Sequence, residues 1–253
     1  MWIHRPDALE ILARKVQTRV IDDAVAGQLE SLIVRGYAYL PRALAPAVVD
    51  RYAALFDRIW DEPPRGLQYI DGEGVVGAVT AAERDRTVRV VSLHLRSDEG
   101  PEMVFPAAVH RLLGAAYERP PVCFQSMSFR HGSQQPIHLD TAYLPLSHDP
   151  LALTASWVAL QDVTPGSGEL VYYEGSHKLP PFLFGGRSRA VADGPDQHEA
   201  FLAYLQAECE RRGLLRRTFT PRQGDVLVWT AALAHGGAQV TQPGSLRRSL
   251  VCH

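Results

Sequence analysis

The sequence predicts a mainly β protein, a sandwich or barrel with flanking helices, on two observations. From residue 87 onward, short runs rich in β-branched and aromatic residues are separated by turns that contain Gly or Pro. Before residue 60, apolar residues instead recur at helical spacing. Several short strands divided by turns are typical of sandwiches and barrels. The predicted strands are "TVRVVSLHL", "PVCFQSMSFR", "LALTASWVALQDV", "GELVYYE", "DVLVWT" and "LRRSLVC".

The length and composition are those of an ordinary globular protein. The chain has 253 residues, of which 46% are hydrophobic and 21% charged, so it can bury one large core or two small ones. Because the strand pattern continues without an internal repeat, we expect a single domain over residues 1–253. Within it, residues 1–60 should form a mainly helical support and residues 87–253 the β core.

The helical pattern of the N-terminal part has recognisable ends. One helix is expected to begin after Asp22, a common N-cap, and to end at Gly36, a common C-cap. The run "YAYL" then predicts a short strand, and Pro46 opens a second amphipathic helix. Two further helices are expected near residues 106–116 and 196–212.

Two loop-like stretches could frame a site. Residues 61–77, "DEPPRGLQYIDGEGVVG", have the Pro and Gly content of a loop, which could be a functional lid or a plain surface loop. Residues 178–196 combine Pro, Phe and Leu with Arg187 and Arg189. We expect both stretches to line the mouth of a site, and the two arginines could suit an amphipathic or anionic substrate or belong to an ordinary basic loop.

Charge and hydropathy exclude several classes of partner. The formal net charge of −2 argues against nucleic-acid binding, because a phosphate-binding surface usually carries a basic excess. No apolar stretch reaches the about 18 residues of a membrane span, and the first residues lack the apolar core of a secretory signal. Three cysteines are too few for a disulfide framework. We therefore expect a cytoplasmic protein without a membrane or nucleic-acid partner, and the oligomeric state stays open.

The run "PIHLDTAYLPL", residues 136–146, contains a candidate metal site. If the run is extended, His138 and Asp140 project to the same side, because alternate strand residues share a face. A third ligand is offered by His235 in "TAALAHGGAQ", just after a strongly apolar strand. Two histidines and one carboxylate form the facial triad of non-haem Fe(II) oxygenases. Alone, a His-x-Asp pair is more often a hydrogen-bonded surface pair.

A second motif follows the distal histidine. In "SLRRSL", Arg247 stands two residues before Ser249, so on a strand their side chains share a face. A guanidinium suits the distal carboxylate of a 2-oxo dicarboxylate whose other end chelates iron, and a serine adds another donor. Only one of the neighbours Arg247 and Arg248 can face the site, and the shared face with Ser249 favours Arg247.

These motifs stand among longer stretches: "SWVALQDVTPGSGELVYYEGSHK", "GDVLVW", "HGG" and "RRSLVCH". Together with "HLD", they resemble the phytanoyl-CoA hydroxylase family of Fe(II)/2-oxoglutarate-dependent oxygenases. The resemblance covers roughly residues 20–253. It implies a double-stranded β-helix, a distorted jelly roll similar to a cupin barrel, whose two sheets enclose the metal.

The resemblance also implies an activity and a set of residues. The cofactor would be Fe(II), with 2-oxoglutarate and O2 as co-substrates, and a small-molecule substrate would be hydroxylated at an unactivated C–H bond with release of succinate and CO2. Trp157 and Gln125 match positions near the co-substrate, although a core aromatic and a strand amide are equally good interpretations. The expected site residues are, for the metal and catalysis, His138, Asp140 and His235, and, for the co-substrate, Arg247, Ser249, Gln125 and Trp157.

Two other classes of protein remain alternatives. One is a cupin-type metal dioxygenase that does not use 2-oxoglutarate, in which Arg247 would be a structural ion-pair partner. The other is a non-catalytic binding protein on the same fold. Among the remaining histidines, His131 and His148 are expected in surface or neighbouring positions, and His177 resembles the family's structural turn histidine.

Overall fold

The computed structural model describes residues 1–144 and 149–253, and the strands of this part form two antiparallel sheets. Most strands are only three to five residues long. They are β1 (Tyr37–Leu40), β2 (Gln68–Ile70), β3 (Val76–Ala78), β4 (Arg89–Val91), β5 (Ser126–Phe129), β6 (Thr154–Ala159), β7 (Leu170–Tyr173), β8 (Arg216–Phe219), β9 (Val226–Thr230), β10 (His235–Gly237) and β11 (Ser249–Cys252).

The larger sheet has eight strands in the order β1-β9-β6-β11-β5-β4-β2-β3, and the smaller has the order β10-β7-β8. Neighbouring strands are distant in sequence at many points, and the central strand β11 pairs with both β5 and β6. The last strand of the chain therefore lies in the middle of the larger sheet. Arg247, just before β11, and His253, just after it, are therefore buried in the interior of the fold.

The helices lie mainly before β5 and around β7 to β8. They are α1 (Ala8–Gln17), α2 (Asp23–Arg35), α3 (Pro46–Arg58), α4 (Gly100–Val104), α5 (Ala107–Tyr117), α6 (Asp140–Tyr143) and α7 (His198–Arg211). As predicted, Asp22 caps α2 by accepting a hydrogen bond from the backbone of Val25, and Gly36 ends it in the left-handed conformation at φ 88°. Within the described residues, no helix is long and apolar enough to cross a membrane.

The alternation of side chains along the larger sheet divides the core into two parts. On β6, Val158 packs toward the helices, whereas its neighbour Trp157 packs between the two sheets. Strands β9 and β11 follow the same rule, with Val228 and Leu250 on the helix side and Val251 between the sheets. Strands buried on both faces explain why the sequence here is almost continuously apolar.

The structure corrects two expectations about the boundaries of the β core. Residues 61–77, predicted to be a loop, contain β2 and the start of β3, which form a hairpin at the edge of the larger sheet. Strands β1 to β3 all precede residue 87, so this sheet extends beyond the predicted range 87–253. Strands of three or four residues are too short for an alternating pattern to distinguish them from loop.

Candidate active site

The three predicted metal ligands line one cavity of about 480 Å3 that opens beside the smaller sheet. His235 begins β10, and its backbone exchanges two hydrogen bonds with His138, of 2.8 and 3.0 Å. Because His138 belongs to none of the strands, its pairing with His235 is an isolated bridge. Asp140 is the first residue of α6, so the predicted extended run ends after Leu139, whose backbone is still extended. The extended Leu139 brings His138 and Asp140 to the same side, as expected.

The ligand atoms of His138, Asp140 and His235 all lie within 4.8 Å of one another, and all three residues are buried. The Nε2 atom of His235 is 3.5 Å from Oδ1 of Asp140, and that of His138 is 3.9 Å from the same oxygen. Two imidazole nitrogens and one carboxylate oxygen thus face a common point. This donor set fits the facial triad of non-haem Fe(II) sites, which leaves positions on the metal open for other ligands.

Neighbouring backbone groups orient the two imidazoles. Nδ1 of His138 donates to the carbonyl of Pro136 at 2.8 Å, and Nδ1 of His235 donates to the carbonyl of Leu233 at 2.9 Å. Because a carbonyl can only accept, both Nδ1 atoms carry hydrogen and both Nε2 atoms keep a free lone pair. The rings are therefore held in the tautomer that binds a metal through Nε2.

The electrostatics favour the unprotonated forms that a metal requires. Burial, helped by the proximity of His235, lowers the pKa of His138 to about 3, so its ring is neutral near pH 7. Burial alone would raise the pKa of Asp140, but the imidazoles of His235, His253 and His138 outweigh it and lower that pKa below its usual value. The carboxylate is therefore ionised and the set is ready for a cation.

The glycines of "HGG" allow the two ligand-bearing segments to approach closely. A Cβ atom on Gly236 would lie 2.7 Å from the carbonyl oxygen of Gln135 and 3.0 Å from that of Pro136. These are backbone atoms of the segment that carries His138, so a side chain at Gly236 would push this ligand away. The motif is a packing requirement of the site.

Arg247 lines the same cavity, and Ser249 follows two residues later at the start of β11. Arg247 is 3% exposed, and its guanidinium lies 5.3 Å from the Trp157 ring centroid and 5.7 Å from that of Phe129. One Nη2 hydrogen is donated to the backbone carbonyl of His131 at 3.3 Å. Within the described residues, Nε of Arg247 and Oγ of Ser249 are buried without a hydrogen-bond partner. Such orphaned donors fit a bound carboxylate.

The neighbouring arginine points elsewhere. Arg248 pairs with Asp57 and donates to Gln161 at 2.9 Å, outside the cavity, whereas Arg247 lines it. Although β11 begins only at Ser249, the pairing continues backward, since the Arg247 N–H donates to the Arg130 carbonyl. The side chains of Arg247 and Arg248 therefore point to opposite sides, as the strand alternation predicts, and that of Arg247 faces the cavity.

The other predicted co-substrate residues also reach the cavity. Trp157 lies in the core between the sheets and lines the cavity beside Arg247. Gln125 stands just before β5, is half-buried and lines the cavity, while its carbonyl accepts the backbone N–H of His253. Trp157 is therefore both a core aromatic residue and a residue of the cavity wall, so the two interpretations of its role are compatible.

The predictions for the other histidines and for the two mouth segments agree with the structure only in part. Nε2 of His177 contacts the carbonyl of Ile33 at 3.1 Å, a structural role as expected. His131 adjoins Arg247 through its carbonyl, and His148 lies outside the described residues. Of the two predicted mouth segments, 61–77 contributes Ile70 and the turn that follows it. Among the described residues, 178–196 contributes no cavity-lining side chain, and α7 supplies that wall instead.

Sequence reasoning missed several cavity residues. Nε2 of His253 lies 3.8 Å from Oδ1 of Asp140, and its ring is buried in the cavity wall. Its position two residues after Val251 and four after Ser249 continues the inward face of β11, a signal that was available in the sequence. Other such residues include Arg89 and Tyr143, for which no motif stood out, and Trp229, which ends the stretch "GDVLVW".

Solved structures with the same architecture place this arrangement in a known fold. The non-haem α-ketoglutarate-dependent carbocyclase SnoK from nogalamycin biosynthesis superimposes with a TM-score of 0.67 at 19% identity, over 92% of this chain and 84% of SnoK. AviO1 from Streptomyces viridochromogenes Tue57 gives 0.58 at 22% identity, over 90% and 92%. EctD from S. alaskensis, solved with 2-oxoglutarate and 5-hydroxyectoine, gives 0.64 at 18% identity, over 92% and 77%. No curated protein sequence matches the chain significantly.

Two facing antiparallel sheets around a His-Asp-His centre form a double-stranded β-helix, as the resemblance predicted. The family model of phytanoyl-CoA dioxygenase (PhyH) matches residues 34–249, and the chain belongs to this family. It is thus a member of the Fe(II)/2-oxoglutarate-dependent oxygenases, with the facial triad His138, Asp140 and His235.

Proposed function

We propose that the protein hydroxylates a small molecule at an unactivated C–H bond, consuming 2-oxoglutarate and O2 and releasing succinate and CO2. One observation carries the proposal. The cavity that holds the triad is also lined by Arg247, whose buried Nε has no hydrogen-bond partner within the described residues, and the buried Oγ of Ser249, two residues further along, has none either. In a cupin-type dioxygenase without 2-oxoglutarate, Arg247 would need a structural ion-pair partner. Within the described residues, no carboxylate lies within 4.0 Å of its guanidinium.

Each residue has a defined task in this reaction. His138, Asp140 and His235 would hold Fe(II), and Arg247 with Ser249 would hold the distal carboxylate of 2-oxoglutarate. The metal, when bound, would allow O2 to act as the oxidant of the C–H bond, while the conversion of 2-oxoglutarate to succinate and CO2 supplies the other two electrons. The protein orients the substrate and excludes water.

The cavity walls support these tasks. Trp157 shields the Arg247 guanidinium on one face, which strengthens its attraction for a carboxylate by removing competing water. The intact Asp140 leaves no ligand position vacant for a halide ion, which favours hydroxylation over halogenation. The size of the cavity, about 480 Å3, suits a small molecule.

The reaction outcome must be measured, because proteins of this fold differ in it. SnoK is described as a carbocyclase and SnoN, also from nogalamycin biosynthesis, as an epimerase. We suggest screening small molecules for stimulated succinate release by the Fe(II)-loaded protein. The mass of each product would be measured by mass spectrometry, and His235→Ala would serve as the inactive control. A product heavier by one oxygen atom supports hydroxylation. Stimulated succinate release with a product of unchanged or lower mass would refute it.

A further inference from the structure

A second arginine reaches the cavity from β4, which lies two strands away from β11 in the larger sheet. Arg89 lies on β4, where it pairs in register with Phe129 of β5 and Ile70 of β2, and all three residues line the cavity. Burial raises the pKa of Tyr143, and the positive charge of Arg89 opposes that rise. Arg89 and the three metal ligands therefore line one cavity.

Within residues 1–144 and 149–253, the Arg89 side chain has no hydrogen-bond partner and no carboxylate within 4.0 Å. The acid whose charge acts on it most is Asp71, which is engaged elsewhere. Its Oδ1 accepts the backbone N–H groups of Glu73 and Val75 at 3.0 and 2.9 Å, and its Oδ2 lies 3.6 Å from Arg86. Asp71 holds the turn of the β2–β3 hairpin and leaves Arg89 without a counterion.

The arginines around β5 and β11 follow a pattern. Arg130 and Arg248 lie outside the cavity and share the carboxylate of Asp57. Arg247 and Arg89 line the cavity, and neither has a carboxylate partner among the described residues. Withdrawing a guanidinium from water without a counterion is costly, and burial accordingly lowers the pKa of Arg89. An uncompensated cation in a cavity is a feature expected where a ligand supplies the anion.

We propose that Arg89 binds an anionic group of the primary substrate, a carboxylate or a phosphate, and so orients the substrate over the metal centre. This inference rests on the proposed function, in which the 2-oxoglutarate ends are already assigned to Arg247 and to the metal. The cavity wall next to Arg89 is apolar, with Ile70, Met127 and Phe129. The substrate class is therefore a small amphipathic anion. The anion-binding role considered for Arg187 and Arg189 belongs instead to Arg89.

The test uses the full-length protein loaded with Ni(II) and 2-oxoglutarate, so that binding is measured without turnover. Isothermal titration calorimetry would compare matched acid and amide probes: butyrate with butyramide, octanoate with octanamide, and phenylacetate with phenylacetamide. At least one acid should bind about tenfold or more tightly than its amide, as for a charge-assisted hydrogen bond. Arg89→Gln should abolish this preference. Arg96→Gln, which removes an exposed arginine outside the cavity, should keep it.

Two outcomes would overturn the proposal. One is the absence of any acid preference that depends on Arg89. The other is a loss of 2-oxoglutarate affinity in Ni(II)-loaded Arg89→Gln comparable to the loss of the acid preference, which would assign Arg89 to the co-substrate. Unchanged 2-oxoglutarate affinity supports the proposal and shows that the variant is folded. Fe(II)-dependent succinate formation, measured separately in the wild type, tests the proposed function. A failure there, with the acid preference intact, would reject the oxygenase activity and leave the anion site in place.

Discussion

The indole Nε1 of Trp229 donates a hydrogen bond of 2.9 Å to Oδ2 of Asp140, while Oδ1 of the same carboxylate faces His138 and His235. The two oxygens thus have different tasks. One is held by β9 in the core, and the other remains free for the metal. Asp140 is thus oriented by a residue outside the triad, and one of its oxygens would be available to a metal.

We expect Trp229→Phe to lower the affinity for Fe(II) by about 10- to 100-fold, the usual effect of losing a hydrogen bond that orients a metal ligand. The phenyl ring keeps most of the packing but lacks the donor. Trp60→Phe is the matched control, because its buried indole nitrogen has no partner within the described residues. Anaerobic metal titration would measure both. Equal losses in the two variants would show that the effect is general destabilisation.

The triad predicts a difference between its members. His138→Ala and His235→Ala each remove one of three protein ligands, so Fe(II) binding and turnover should be lost. Asp140→Gly keeps both imidazoles and should retain some metal while losing hydroxylation. Metal content and succinate formation would be measured on the same preparations. Full turnover in either histidine variant would exclude that residue as a ligand.

The close approach at Gly236 predicts a coupled loss of stability and metal binding. Gly236→Ala places a Cβ atom 2.7 Å from a backbone oxygen, so the segment that carries His138 must shift. We expect a cost of about 1 to 3 kcal/mol in the free energy of unfolding, as for overpacking. Gly114→Ala in α5 should instead stabilise, because among the described residues beyond its own helical turn no atom lies within 4 Å of the new Cβ. Urea unfolding of the metal-free proteins measures both, and a stable Gly236→Ala with normal metal affinity would contradict the packing argument.

His177 predicts a pH dependence of stability. Burial lowers its pKa from 6.5 to about 4 in the folded protein, so below pH 6.5 the unfolded chain takes up the proton more readily than the folded one. The contribution of the neutral ring is therefore full above pH 6.5 and is lost as the pH falls toward 4. In His177→Gln, the free energy of unfolding should decline less steeply over this range. His110→Gln removes an exposed histidine and should follow the wild type. Parallel curves for wild type and His177→Gln would refute the prediction.

Much of the site was visible in the sequence because its spacing rules are local. Two residues separated by one extended residue share a side, which brought His138 and Asp140 together even though Asp140 begins a helical turn. The same rule predicted the shared face of Arg247 and Ser249. The boundaries of the larger sheet were less visible, since β2 and β3 are too short for a pattern.

Residues joined only by the fold could not be predicted from spacing. Trp229 and Asp140 are 89 positions apart, and Arg89 reaches the cavity because β4 pairs with β5. Arg89 belongs to no motif, and Trp229 ends the stretch "GDVLVW", in which no spacing rule links it to Asp140. The mouth segment 178–196 was misassigned because a mixture of Pro, Phe and Arg describes many surface loops, and the cavity wall comes from α7.

The central claim is that Arg247 and the triad together form a 2-oxoglutarate site. Its most direct test is the dissociation constant of 2-oxoglutarate for the anaerobic Fe(II)-loaded protein, measured by calorimetry for the wild type, Arg247→Ala and Arg248→Ala. We expect Arg247→Ala to weaken binding by about 2 to 5 kcal/mol, the range for truncating one partner of a buried charge pair. Arg248→Ala should remain close to the wild type, since its guanidinium is paired with Asp57 outside the cavity. Unchanged affinity in Arg247→Ala, or a loss confined to Arg248→Ala, would contradict the claim.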